Sequence, residues 1–171
     1  MRFYRLSGIG LGLGLTFFAA GCAGQLPAKH KPSKVLVIPP GLESAYNEMQ
    51  FSAAVKAGNL IFVSGVTGAW MGGTLEEKAG RAFQTIEKTL KYAGSGLEDV
   101  VEIVTYHKDM THFQRFKTVK AKFFKSNYPA WTAVGISDLV RTDAEVEIKV
   151  TAVIGSGKNT RQLLERRTAH E

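Results

Sequence analysis

The residues of this chain best suited to chemistry lie on one strand near its end. From Glu145 to Ile154 the sequence EVEIKVTAVI alternates. Val146, Ile148, Val150, Ala152 and Ile154 fall on one side, and Glu145, Glu147, Lys149 and Thr151 on the other. That is the period of a strand buried on one face only. Taken alone, Glu147 reads as a solvated strand-face charge paired to Lys149 or another neighbour. Ser64 has no evident base in the sequence and supports no nucleophilic triad. His30, His107, His112 and His170 are dispersed, with no carboxylate or cysteine at metal-ligand spacing, so no metal or other cofactor is expected. No glycine-rich stretch ends in the Lys-Ser or Lys-Thr that cradles a phosphate.

The elements that must position these residues follow from periodicity. A strand Trp131–Ile136 precedes the charged one, with a turn around Ser137 to Ala144. Phe51–Lys56 and Leu60–Ser64 form a hairpin about Ala57-Gly58-Asn59. Leu75–Ala93 is the clearest helix, with Thr74 as its cap and Gly94 at its end. Val100–His107 is a strand. Thr111 caps a second helix with the apolar stripe Phe113, Phe116, Val119 and Phe123, ending before Pro129. Two helices with one apolar face each need a single sheet to cover, which predicts an α+β fold of two layers. The other sheet face then lacks cover, and three or more copies around an axis would supply it.

Of 171 residues, 44% are hydrophobic and 22% charged, which suits one globular domain. The start stands apart from it. Arg2 and Arg5 precede an apolar run from Leu6 to Gly21, shorter than the ~20 residues that span a bilayer as a helix, and small residues then lead into Cys22, the one cysteine. This predicts a signal peptide over 1–21. Ala-Ala-Gly-Cys resembles the lipobox of bacterial lipoproteins, although Ala stands where that pattern usually has Leu. Lipidation at Cys22 is expected, and Ala23 after it favours the periplasmic face of the outer membrane. Residues 22–48 read as a proline-containing tether, in which Val35–Ile38 could add an edge strand. The domain is expected over 49–154, and 155–171 as a basic tail with a short helix around Gln162 to Arg166. The formal charge of +7 is scattered, which together with export argues against nucleic acid as a partner.

Between Phe51 and Ile154 the chain resembles the Rid family (RidA, also called YjgF or L-PSP), small proteins that hydrolyse reactive enamines and imines. The resemblance rests on AVKAGNLIFVSGVTG (Ala54 to Gly68), KYAG at the helix end, DVVEIVTYHKDM (Asp99 to Met110), FKTVKAKFF before YPAW, and VEIKVTAVI. It implies a chorismate-mutase-like fold with a mixed sheet and two helices on one face, a homotrimer, and small-molecule ligands at subunit interfaces. In the family's deaminases an arginine after Pro-Ala binds the substrate carboxylate; here Trp131 takes that place, followed by Thr132. The cleft tyrosine is Phe51 and a helix asparagine is Lys117. Ser64 is kept. Glu147 matches the glutamate linked to activating the attacking water, ordinary work for a carboxylate base. The resemblance therefore implies an exported imine or enamine deaminase with altered or weakened activity. The alternative is a non-enzymatic, membrane-tethered trimeric binding module.

Overall fold

The computed structural model describes residues 33–163. In chain order the elements are β1 (Lys34–Val37), α1 (Glu43–Glu48), β2 (Ala54–Ala57), β3 (Leu60–Val66), α2 (Leu75–Tyr92), β4 (Val100–His107), α3 (Phe113–Phe123), β5 (Ala130–Gly135) and β6 (Val146–Val153). The strands form one mixed sheet in the order β1-β2-β3-β6-β4-β5. Only β4 and β5 run parallel, linked through α3, and every other pair is antiparallel. β4 therefore lies between β5 and β6, which are consecutive in sequence and do not pair.

The helices form because their signals are local and agree. Thr74 and Glu77 close a reciprocal capping box on α2. Gly94, at φ +87°, ends it in the left-handed conformation, and the Ser95 N–H returns to the Leu90 carbonyl. Phe83, Ile86 and Leu90 on α2 are fully buried, each worth about 1.5–3 kcal/mol. Phe83 meets Phe116 and Phe123 of α3 at ring-centroid distances of 5.8 and 4.9 Å. Arg115 also grips Glu76 with both arms, at 2.7 and 2.8 Å. Both helices cover one sheet face, where Ile61, Val63, Ile103, Val146, Ile148 and Val150 are buried. The opposite face carries Phe62, 41% exposed, and Val134, 40% exposed, with no helix among the described residues over them.

Three expectations change. Within the tether expected over 22–48, the possible edge strand at Val35–Ile38 is present one residue earlier as β1, paired with β2 from Lys34↔Ala57 to Val37↔Ala54, whereas α1, which follows it, was not expected. Asp109, rather than Thr111, caps the turn that leads into α3, because its carboxylate accepts the Thr111 N–H. The tail is partly fastened: buried Asp99 accepts the N–H groups of Gly155 and Gly157 at 2.9 and 3.0 Å. Cys22 and the signal segment lie outside the described residues, as does most of the expected helix at Gln162 to Arg166.

Candidate functional site

Glu147 is the second residue of β6, on the face away from the helices. On one side its register partner is Tyr106 of β4. On the other, β3 carries one extra residue between Val63 and Val66, a bulge of the kind that re-aims side chains. The bulge brings Gly65 under the Glu147 carboxylate so closely that a methyl group there would collide with Oε1. Among the described residues Glu147 joins no ion pair, with Lys149 or any other cation. Glu145, expected on the same charged face, turns instead to the helix layer and pairs with Lys78 Nζ of α2 at 2.9 Å. It precedes the strand proper, so strand alternation does not govern it.

Glu147 lines a groove of about 530 Å³ with Phe51, Ser64, Gly65, Thr67, Val140 and Arg141. An adjoining hollow of about 550 Å³ shares Phe51, Ser64, Gly65 and Arg141 and runs beneath α1. The Ser64 hydroxyl donates to the Ser52 carbonyl at 2.7 Å, so its proton is spent on the backbone while its lone pairs remain available. Arg141 comes from the β5–β6 connection. One terminal nitrogen donates to an Asp143 oxygen at 3.1 Å, and the Arg141 Nε lies 3.0 Å from the other in an ion pair. The Arg141 hydrogen bond, and after it the Arg141 charge, hold the Asp143 carboxyl below the ordinary range.

Trp131 and Lys117 stand elsewhere. The register Ile103↔Trp131 puts the indole on the helix side of β5. There it stacks on Phe113 of α3, with centroids 5.1 Å apart and planes 14° from parallel. Its N–H donates to Thr105 Oγ1 at 3.0 Å, and buried His107 meets the same oxygen at 2.9 Å. Burial pushes the His107 imidazole below its usual range. Lys117, Lys120, Phe124, Tyr128 and Trp131 line a pocket of about 390 Å³. Thr132, one residue on, is exposed on the open sheet face and lines neither cavity.

The expected site residues thus form two groups: Glu147, Ser64 and Phe51 in the groove, and Trp131 and Lys117 beside α3. Among the described residues no three His, Cys, Asp or Glu side chains gather as metal ligands would. Sequence reasoning did not place Gly65, Lys120 or Arg141 in the site. Lys120 had a legible signal, since it falls four residues after Phe116 on the apolar stripe. Gly65 and Arg141 had none, because both act through loop and bulge geometry.

The family model described as Endoribonuclease L-PSP matches residues 42–154, well over half of the chain. The chain belongs to the Rid/YjgF/L-PSP family. Among its relatives, the RutC family protein YjgH of Escherichia coli is 36% identical over 121 residues, covering 67% of this chain and 92% of that one. A 2-iminobutanoate/2-iminopropanoate deaminase of Dermatophagoides farinae is 29% identical over 110 residues, covering 61% and 85%. The crystal structure of the YjgF/YER057c/UK114 family member Rv2704 from Mycobacterium tuberculosis aligns with a TM-score of 0.64 at 28% identity. It covers 71% of this chain and all of that one. The two-layer α+β architecture with its mixed sheet is accordingly that of the Rid family.

Proposed function

We propose that this Rid-family chain is an exported hydrolase of small imines or enamines whose substrates differ from the 2-imino acids. Glu147 is its general base. The observation that carries this reading is the Glu147 carboxylate itself, seated on Gly65 in a groove with no cation partner among the described residues. An unpaired carboxylate in a cleft can take a proton from a water attacking a C=N carbon. The position that binds a substrate carboxylate in related deaminases holds an indole, already engaged with Phe113 and Thr105. Arg141 does line the Glu147 groove, but its fork is engaged by Asp143. A guanidinium in bidentate contact is worth about 1.5–3 kcal/mol to a bound carboxylate, and losing it costs tenfold or more in affinity.

The Glu147 groove and the Trp131 pocket belong to opposite sheet faces of one chain, so a second copy would have to bring them together. A homotrimer with ligands between subunits meets that need. Export with a lipid on Cys22, at the periplasmic face of the outer membrane, completes the proposal. Imine hydrolysis, assayed by generating the imine with an amino-acid oxidase or from neutral amines and aldehydes, tests it. Wild-type protein should turn over some neutral imine or enamine, and Glu147→Gln should abolish that turnover. Equal rates in both would overturn the role of Glu147.

A second reading is a trimeric, membrane-tethered binding module without catalysis. The packing of Trp131 favours it, since the indole fills the anchor position.

A further inference from the structure

Lys120 is a buried side chain whose amine opens on a pocket and which the proposed water-activating site does not use. It lies on the inner stripe of α3 and is only 8% exposed. Its Nζ stands 4.3 Å from the centre of the Trp131 ring, 5.7 Å from Tyr128 and 5.9 Å from Phe124. Among the described residues it makes no ion pair or hydrogen bond, and no acidic side chain lines its pocket of about 390 Å³. Lys117 lines the same pocket and adds a second positive charge.

A buried ammonium without an anion is costly, and the group relieves the cost by losing its proton. Burial first, and the Lys117 charge second, hold the Lys120 ammonium below the usual lysine range. A free amine in an apolar pocket beside another cation is the arrangement that makes a lysine nucleophilic toward carbonyl compounds. The three rings add a further bias. Their faces attract cations, the ammonium as well as the protonated Schiff base that such an amine forms, so the rings can hold the adduct's charge.

We propose that Lys120 is a Schiff-base-forming lysine for small 2-oxo acids, with Lys117 receiving the substrate carboxylate. The Lys120 amine adds to the carbonyl carbon, and the carbinolamine then loses its oxygen as water. One C=N bond replaces the C=O bond, no electrons leave the system, and hydrolysis reverses the step. Trp131, Tyr128 and Phe124 hold the resulting iminium.

The test uses full-length protein incubated with 2-oxobutanoate and cyanoborohydride, followed by peptide mass mapping. The expected result is a reduced adduct concentrated on the Lys120 peptide. It should persist as the pH is lowered beneath the ordinary lysine range, where adducts on exposed Lys88 and Lys122 fall away. Lys120→Arg should lose the adduct. Lys117→Gln should lose the preference for 2-oxobutanoate over butanal. Glu147→Gln should keep the adduct, so failure of imine hydrolysis and failure of trapping are separate results. Because mapping of the wild-type chain already discriminates, a poorly folded Lys120→Arg leaves the test intact. Adducts spread over exposed lysines with no excess at Lys120, or an adduct unchanged in folded Lys120→Arg, would overturn the proposal.

Discussion

Trp131 is held by an N–H donated to Thr105, a stacked Phe113 and Lys120 over its ring, and as an indole it offers a substrate carboxylate no charge. The protein is therefore expected to hydrolyse 2-iminobutanoate and 2-iminopropanoate poorly in an amino-acid oxidase assay. Trp131→Arg should raise that rate, and adding Glu147→Gln should remove the gain. An unchanged rate in a folded Trp131→Arg variant would count against this position as the anchor. Gly65 offers a second test. A Cβ there would strike the Glu147 carboxylate, a flexible side-chain end that can swing aside. Gly65→Ala should therefore lower turnover through the base while shifting the melting temperature little. In a Glu147→Gln background it should cost nothing more, which a double-mutant cycle of rates would show.

At the scale of elements, the seam between β4, β5 and α3 is where packing and titration meet. His107 is buried there beneath Phe116, with ring centroids 5.0 Å apart, and its imidazole is kept neutral. The folded state binds this proton less readily than the unfolded chain, whose histidine titrates near 6.5. Its contribution to stability is thus fully present above that value and is lost as pH falls below it. Denaturant midpoints should fall between about pH 7 and pH 5 in the wild type, and less steeply in His107→Phe, which keeps a ring without the charge. Identical slopes in the two proteins would show that His107 ionises without cost.

For the whole molecule, the uncovered sheet face and the two separated groups of site residues lead to the same expectation. Protein beginning at Lys34 should behave as a trimer in light scattering, and dilution to a stable monomer would refute this. Lysine on that face bears on the outcome, since exposed Lys149 lies in register with Val104 and must find an acceptor or water once covered. Localisation is a separate matter carried by the first residues. Mature protein should begin at a lipidated Cys22, and Cys22→Ser should release it from the membrane fraction. An intact Met1 on the purified membrane form would contradict the assignment.

Local signals in the amino-acid order were enough for α2, whose cap, period and terminal glycine all act within a few residues of one another. They were enough too for β6, whose core face alternates without interruption, for β4, whose alternation is broken only by a bulge near Val101, and for the family, whose motifs run through most of the domain. Alternation put Glu147 on the uncovered face, but the resemblance to the family, not the alternation, marked it out from Lys149 and Thr151 beside it. What tertiary structure alone decided was which side chains meet. Pairing with β2 made the possible edge strand at Lys34–Val37 an actual one, because four residues gain stability only through a partner's hydrogen bonds. The parallel register of β5 on β4 sent Trp131 to the helix layer and away from Glu147, since a strand's faces are assigned only once its neighbour is known. The bulge in β3 set Gly65 beneath the carboxylate, and the fold of α3 against β5 enclosed Lys120 among three rings. Each of these depends on residues far apart in the chain, and such contacts leave no periodic trace in it.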